Sequence, residues 1–281
     1  MDKTGIIWTE KTWNPMSGCQ KISAGCRFCY AETIAKNYGG KAFPNGFDLT
    51  YRPHKLREPF GWKEPTLCFV NSMSDFFWEK VSDEYRDKIL AVIIANPQHE
   101  FQVLTKRPEV MKEYFSTRPV PSNFWCGVTV ENMESLHRID ILREIDAEIK
   151  FVSAEPLIGP LTGLNLSGIQ WIITGGESGN HLWQEKHAVN RGLVVYDRGM
   201  KIWKVKQEAV NWIKDIRDEA IASGTSFFHK QWGGNYPEAA GRTLDGQTYS
   251  EFPRLPGKKT KVSNNYLDQL ESIGRNSVFQ E

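Results

Sequence analysis

Short runs rich in β-branched and aromatic residues recur down the chain, at Leu67 to Val70, Phe101 to Leu104, Trp125 to Val130, Ile149 to Val152, Trp171 to Thr174 and Ser226 to Phe228. Each predicts a strand. Segments of helical period lie between several of them. Ser82 is a good N-cap with Asp83 and Glu84 behind it, and Tyr85, Ile89, Val92 and Ile93 share one face before Asn96-Pro97 ends the helix. Pro108 opens a further helix through Tyr114, another is expected from near Glu131 to about Ile145, and one from Gln207 is stopped by Gly224. Strands alternating with helices imply a parallel sheet with helical cover, an α/β partial (open) β/α barrel, TIM-like, of about six or seven strands. Helices are poorly marked after Glu155 and from His181 to Lys201, which predicts an incomplete barrel or insertions there. The expected organisation is a barrel over residues 1–231 and an irregular, Gly- and Pro-rich extension over 232–281 packed on it.

Polar residues follow each predicted strand. Asn71, Ser72, Ser74 and Asp75 come after the first of them; Thr105, Lys106 and Arg107, then Glu131 and Asn132, come after the next two. Ser153 and Glu155, then Gly175, Gly176, Glu177 and Ser178, and finally His229, Lys230 and Gln231 continue the series. In a parallel barrel these carboxyl ends meet at one face, where ligands bind. A single Ser or Asn of this kind is often only a cap or turn former. Lys106, Arg107, Glu155 and Glu177 are harder to account for in that way, and Arg107 has the fork to grip a carboxylate or phosphate, against the plain alternative of a salt-bridged rim.

Composition bounds rather than decides the function. The 281 residues, 40% hydrophobic and 25% charged, are those of an ordinary globular protein large enough to enclose a cavity. A net charge of +1 provides no long-range field for phosphate backbones, so nucleic-acid binding is not indicated by charge, and a local basic groove stays open. No run approaches the roughly 18 apolar residues of a membrane span, so no membrane partner is expected and the cytoplasm is the expected location. Of ten tryptophans, Trp13, Trp78 and Trp232 sit beside the polar loops, where they could stack on an aromatic or nucleobase substrate.

Five cysteines are an odd number, and three of them, Cys19, Cys26 and Cys29, fall within eleven residues with the spacing C-x6-C-x2-C. That is not the evenly spread framework of a disulfide protein, whereas Cys68 and Cys126 sit in apolar segments as small hydrophobes. Two thiolates two residues apart can wrap one corner of a metal site, and a third can reach it from a Gly-flanked loop. A helix beginning after Cys29 would turn its positive end toward an anionic centre. A closed zinc site needs four protein ligands, and the nearest histidine is His54, so three thiolates leave a coordination position open.

These cysteines, with Phe28 just before the last, resemble the signature loop of the radical S-adenosylmethionine (SAM) superfamily. Trp13-Asn14-Pro15, Cys29-Tyr30-Ala31-Glu32, Leu104 to Pro108, Ser153 to Leu157, Gly175 to Gly179 and Lys230 to Gly233 are similar to an uncharacterised phage and bacterial branch of it, over roughly residues 8 to 254. The first gap is three residues longer than the superfamily's usual C-x3-C-x2-C. The resemblance implies a [4Fe-4S] cluster on Cys19, Cys26 and Cys29, whose free iron chelates SAM and whose electron cleaves it, so that a hydrogen atom is taken from the substrate. It implies that Phe28 meets the adenine. The superfamily's Gly-Gly-Glu motif follows the second strand, whereas Gly175-Gly176-Glu177 follows a late one, so the amino-group role is not transferred to it. Asn71, Ser72 and Ser74 occupy the second-strand position and are expected to bind the methionyl part, with Lys106, Arg107, Glu155 and Glu177 completing the pocket for cofactor and substrate.

The function expected is reductive SAM cleavage on an unidentified nucleoside, nucleic-acid or peptide substrate, with a reductant such as flavodoxin or ferredoxin; no catalytic residue is singled out. Two other classes stay open. One is a non-catalytic zinc or iron-sulfur module, and the other a metal-free barrel that binds a nucleic acid or protein partner through its Lys106-Arg107 face.

Overall fold

The computed structural model describes residues 4–40 and 42–254. In chain order the strands are β1 (Lys11–Trp13), β2 (Met16–Ser17), β3 (Thr50–Tyr51), β4 (Leu67–Val70), β5 (Glu100–Thr105), β6 (Phe124–Thr129), β7 (Lys150–Ala154), β8 (Trp171–Gly175), β9 (Val194–Asp197), β10 (Ile202–Val205) and β11 (Ser226–Gln231). The helices are α1 (Tyr30–Asn37), α2 (Asp83–Ile94), α3 (Pro108–Ser116), α4 (His137–Arg143), α5 (Glu185–Arg191) and α6 (Gln207–Ser223). Seven strands, in the order β1-β4-β5-β6-β7-β8-β11, pair in parallel into one curled sheet, an open half-barrel. The six strands expected from sequence are all present.

Strand alternation sorts the side chains into two layers. Cys68, Val70, Phe101, Val103, Cys126, Val128, Val152, Ile172 and Phe227 pack outward with the helices. Phe69, Trp125, Phe151, Trp171, Ile173 and Phe228 fill the lumen, joined by Trp8 from just ahead of β1. Gly127 of β6 shows how full this layer is, since a Cβ there would stand 2.2 Å from Cζ of Phe151. Counting on by twos places Asn71, Lys106 and Lys230 one step beyond Phe69, Leu104 and Phe228, and Glu155 and Glu177 two steps beyond Phe151 and Ile173. The barrel is thus greasy at its base and polar at its mouth.

The structure departs from the expected elements in particular places. β1 is three residues of mixed polarity and gives no periodic signal of its own; parallel pairing with β4 makes it a strand. The helix expected from Glu131 is a short 3-10 turn, Met133–Ser135, followed by α4, because Ser135 Oγ accepts the Glu131 and Asn132 amides at 2.9 and 3.2 Å and delays the helix. The stretch after Glu155 holds no helix before β8, whereas His181 to Lys201 contains α5, β9 and the turn that leads into the antiparallel partner β10. Ser82 caps α2 by accepting the Tyr85 amide at 3.3 Å, and Gly224 ends α6 at φ 68°. Cys68 and Cys126 are fully buried free thiols.

Beyond β11 the chain folds back over the sheet. Trp232 N donates to Gly241 O at 3.0 Å, Ser250 bridges Phe228 antiparallel, and Trp171 Nε1 donates to Glu251 O at 2.8 Å. The expected extension from residue 255 on lies outside the described residues. Among the described residues no helix is long and apolar enough to cross a membrane.

Candidate active site

The strand ends open onto a cavity of about 270 Å³. Its floor is Ile6, Trp8, Phe69 and Leu104, and its walls carry Asn71, Ser72 and Ser74 after β4, Lys106 and Arg107 after β5, Glu155 after β7, Glu177 after β8, and Lys230 of β11. Cys19, Cys26, Phe28 and Cys29 close it from above. The three cysteines and the expected cofactor-pocket residues Phe28, Asn71, Ser72, Ser74, Lys106, Arg107, Glu155 and Glu177 therefore line one space.

The loop carrying the cysteines is held from several directions. Gly18 sits at φ 97° where a Cβ would meet Asp48 O at 2.2 Å, so only glycine lets the chain pass. Arg107 donates from Nη2 to Gln20 O at 3.1 Å and from Nη1 toward Cys19 Sγ at 3.9 Å. Ser23 Oγ donates to Glu131 Oε1 at 2.5 Å, and Gly25 lies so near Glu131 that a Cβ would fall 2.6 Å from the same oxygen. Arg191 Nη2 donates to Ala24 O at 2.9 Å, and Tyr30 OH to Ser72 O at 2.7 Å. Cys29 is the N-cap of α1, so that helix begins at the cavity wall.

These clamps rest on buried ion pairs that sequence reading did not assemble. Arg107 Nη1 lies 3.0 Å from buried Asp75 Oδ2, and its Nε reaches outward to Glu79 Oε2, an exposed carboxylate, at 2.8 Å. Glu131 is 1% exposed and pairs with Arg138 at 3.0 Å, with Lys106 Nζ at 3.8 Å. Glu177 takes Arg191 in a two-pronged pair at 2.8 and 2.9 Å, with His181 at 3.2 Å. Arg107 is thus engaged by the protein's own groups, as a salt-bridged rim, and Glu177 is a strut for the loop through Arg191. Glu155 pairs with Lys230 across the cavity. Asp75 follows a strand, as expected of a site residue; Arg138 and Arg191 carry no local signal at all.

The binding groups differ in how far they are already satisfied. Ser72 Oγ and the Asn14 amide exchange hydrogen bonds at 3.1 and 3.2 Å, and Ser74 Oγ donates to Met16 O at 3.3 Å. Asn71 is 3% exposed, holds φ 61°, and neither polar atom of its amide has a partner. A buried amide left open in a cavity wall is unusual and points to a ligand. The Phe28 ring stacks on His181 at 3.9 Å and 8°, which fills one of its faces.

Electrostatics separate the thiols. Burial, reinforced by Asp75, pushes Cys19 up to about 12 despite Arg107. Burial also raises Cys26, but Lys106 and hydrogen bonds from Ser23 and the backbone outweigh it, so this thiol lies below its ordinary value. Among the described residues no three His, Cys, Asp or Glu side chains stand close enough to hold a single metal ion. A four-iron cluster is instead grasped at its corners, and the donor set suits one: three unpaired thiols on one cavity, cationic Lys106 and Arg107 beside them, and a helix start at Cys29.

One expectation is corrected. Trp13, Trp78 and Trp232 are 0%, 3% and 2% exposed and belong to the outer core, because their rings complete the packing of β1, α2 and the returning tail; none lines the cavity. The glycines of Gly175 to Gly179 serve the protein's own backbone as well as the cavity, since a Cβ on Gly176 would stand 2.0 Å from Trp232 O.

The chain matches, over residues 3–193 and 199–253, the family described as "Protein of unknown function (DUF5131)". The chain belongs to this family. No curated protein matches it. Among solved structures, the family member is similar to spore photoproduct lyase complexed with dinucleoside spore photoproduct, and to a mutant of that enzyme with the same ligand. Each has a TM-score of 0.50 and 12% identity, over 84% of this chain and 78% of the other. At that identity the likeness speaks for the half-barrel fold.

Proposed function

We propose that this family member is a radical SAM-type enzyme whose [4Fe-4S] cluster is held by Cys19, Cys26 and Cys29. The observation that carries the reading is the convergence of all three thiols with the strand-end polar groups on one cavity at the mouth of a half-barrel. The fold shared with spore photoproduct lyase supports it, and the resemblance of the cysteine loop supplies the chemistry. A bound, reduced cluster supplies one-electron cleavage of SAM and, through it, hydrogen-atom abstraction from the substrate.

The chain's own residues have defined tasks under this reading. The open amide of Asn71 binds the methionyl part of SAM, with Ser72 and Ser74 fixing its loop through Asn14 and Met16 O. Lys106 offsets negative charge at the cluster, and the Glu155–Lys230 pair lines the space left for substrate. Phe28 borders the adenine from its perch on His181. Ile6, Trp8 and Phe69 exclude water from below. A flavodoxin- or ferredoxin-like donor supplies the electron, and the substrate is a nucleoside, nucleic acid or peptide.

Anaerobic reconstitution with iron and sulfide tests the proposal. Brown protein that forms 5′-deoxyadenosine from SAM after addition of dithionite is expected, and the Cys19→Ala, Cys26→Ala and Cys29→Ala variants should lose the product. A colourless protein that takes up one zinc ion and leaves SAM intact would refute it.

A further inference from the structure

Between β8 and α6 the chain inserts α5 and the β9–β10 hairpin. Residues 181–206 carry six cations, Lys186, Arg191, Arg198, Lys201, Lys204 and Lys206, against Glu185 and Asp197, in a chain whose net charge is only +1. The remainder of the molecule is therefore net negative. Arg191 is engaged by Glu177, Lys204 by Asp197 at 2.7 Å, and Lys206 by Val189 O at 2.7 Å. Lys186, Arg198 and Lys201 are exposed, and among the described residues none of the three pairs with a carboxylate.

Arg198 lines a groove of about 570 Å³ with Leu182, Trp183, Val189, Val195 and Tyr196, while Lys186 belongs to the same helix as Val189 and Lys201 to the turn that carries Arg198. Trp203 is buried behind two of these side chains and is pinned by Nε1 to Asn235 Oδ1 at 2.7 Å. Trp183 and Tyr196 stand on it, with ring centroids 5.1 and 5.4 Å from Trp203 and 4.6 Å from each other. Trp183 remains 46% exposed, so the cluster offers a large flat face to solvent rather than closing into a core. The groove adjoins the mouth: Ser178 lines the cavity, His181 stacks on Phe28, and Trp183 follows two residues later.

We propose that this hairpin groove binds single-stranded nucleic acid, with bases stacked on Trp183 and Tyr196 and phosphates met by Lys186, Arg198 and Lys201. Cations with no carboxylate partner among the described residues select a polyanion, and the exposed Trp183 ring beside half-buried Tyr196 selects one with unstacked flat groups; a single strand has both, and a duplex hides its bases. Lysine is depleted in the centres of protein–protein interfaces, which disfavours a protein occupant. The inference stands apart from the cluster reading, since none of the cysteines enters it; where both hold, the groove brings a strand to the barrel mouth.

Fluorescence anisotropy with the full chain and labelled single strands of about twelve nucleotides tests it, one DNA and one RNA of the same mixed sequence. Binding of either at least tenfold tighter than the matching DNA duplex is expected. Three free cations give a log–log salt slope of about −2, so affinity should fall roughly 20-fold between about 50 and 200 mM salt. Trp183→Ala should weaken binding at least tenfold while Trp183→Phe stays within about threefold, because a smaller ring still stacks. Arg198→Glu with Lys201→Glu, both on the surface, should abolish most of the salt dependence without changing the melting temperature. No binding at low salt, equal binding of duplex, insensitivity to these substitutions, or displacement by poly-glutamate at equal charge would overturn the proposal, the last in favour of an acidic protein partner. The Cys19→Ala/Cys26→Ala/Cys29→Ala variant should bind strands normally, so failure here is distinct from failure to form 5′-deoxyadenosine.

Discussion

Glu131→Gln is the substitution that most directly tests how the cysteine loop is held. The change keeps the side-chain volume and removes the charge that Arg138 faces at 3.0 Å and Lys106 at 3.8 Å, while weakening the acceptor for Ser23. Removing one partner of a buried pair costs about 3–5 kcal/mol, because the other charge is left uncompensated. Arg138 keeps its hydrogen bond to Thr129 O at 2.7 Å, so the lower end, about 3 kcal/mol, is expected. For a chain of this size that is a fall in melting temperature of about 6–12 °C. Maleimide labelling under native conditions gives the local readout, with fully buried Cys68 and Cys126 as internal controls. Cys19, Cys26 and Cys29 should label faster in the variant while the controls stay protected. Adding Arg138→Gln should recover part of the loss, since the pair is coupled. A melting-temperature change under about 2 °C, with unchanged labelling of the loop, would refute the clamp.

Three further outcomes follow from the geometry. Asn71→Gly removes an unpartnered buried amide and relieves a left-handed backbone, so the ligand-free protein should gain about 1 kcal/mol in urea denaturation while SAM affinity by equilibrium dialysis falls tenfold or more. Gly127→Ala drives a Cβ into the Phe151 ring and should cost about 1–3 kcal/mol, part of it returned by Phe151→Leu in a double-mutant cycle. Burial, aided by Arg242, holds His229 down at about 3 while the unfolded chain protonates it near 6.5, so only the unfolded state gains a proton between those values. Stability from this site is full above pH 6.5 and should decline by about 1.4 kcal/mol per pH unit below it, reaching about 2 kcal/mol at pH 5. Urea denaturation at pH 7 and pH 5 should show that component in the parent and not in His229→Asn.

Much of the half-barrel is legible in the chain because β4 to β8 and β11 are apolar runs followed at once by polar residues. One period-two rule places both the lumen aromatics and the mouth groups. The cysteine spacing is likewise local, and so is the start of α1. What stayed hidden depends on partners far away in sequence. β1 becomes a strand only beside β4, and Arg138 and Arg191 matter only because Glu131 and Glu177 stand across from them. Trp13, Trp78 and Trp232 look available beside polar loops, yet burial is a property of the packed fold. The β9–β10 hairpin carries alternating apolar residues around the turn signal Asp197-Arg198-Gly199, a strand period in a place where barrel topology puts a helix.

The clamps on the cysteine loop impose an order of assembly. Arg107 reaches Cys19 across 88 positions, Glu131 meets Ser23 across 108, and Arg191 meets Ala24 across 167. All three partners follow the thiols in sequence, so the loop gains its last restraint only when Arg191 is in place. Until those partners are in place the three thiols lie on an untethered loop, so the stretch of folding before Arg191 docks is when they are most open to oxidation or mispairing.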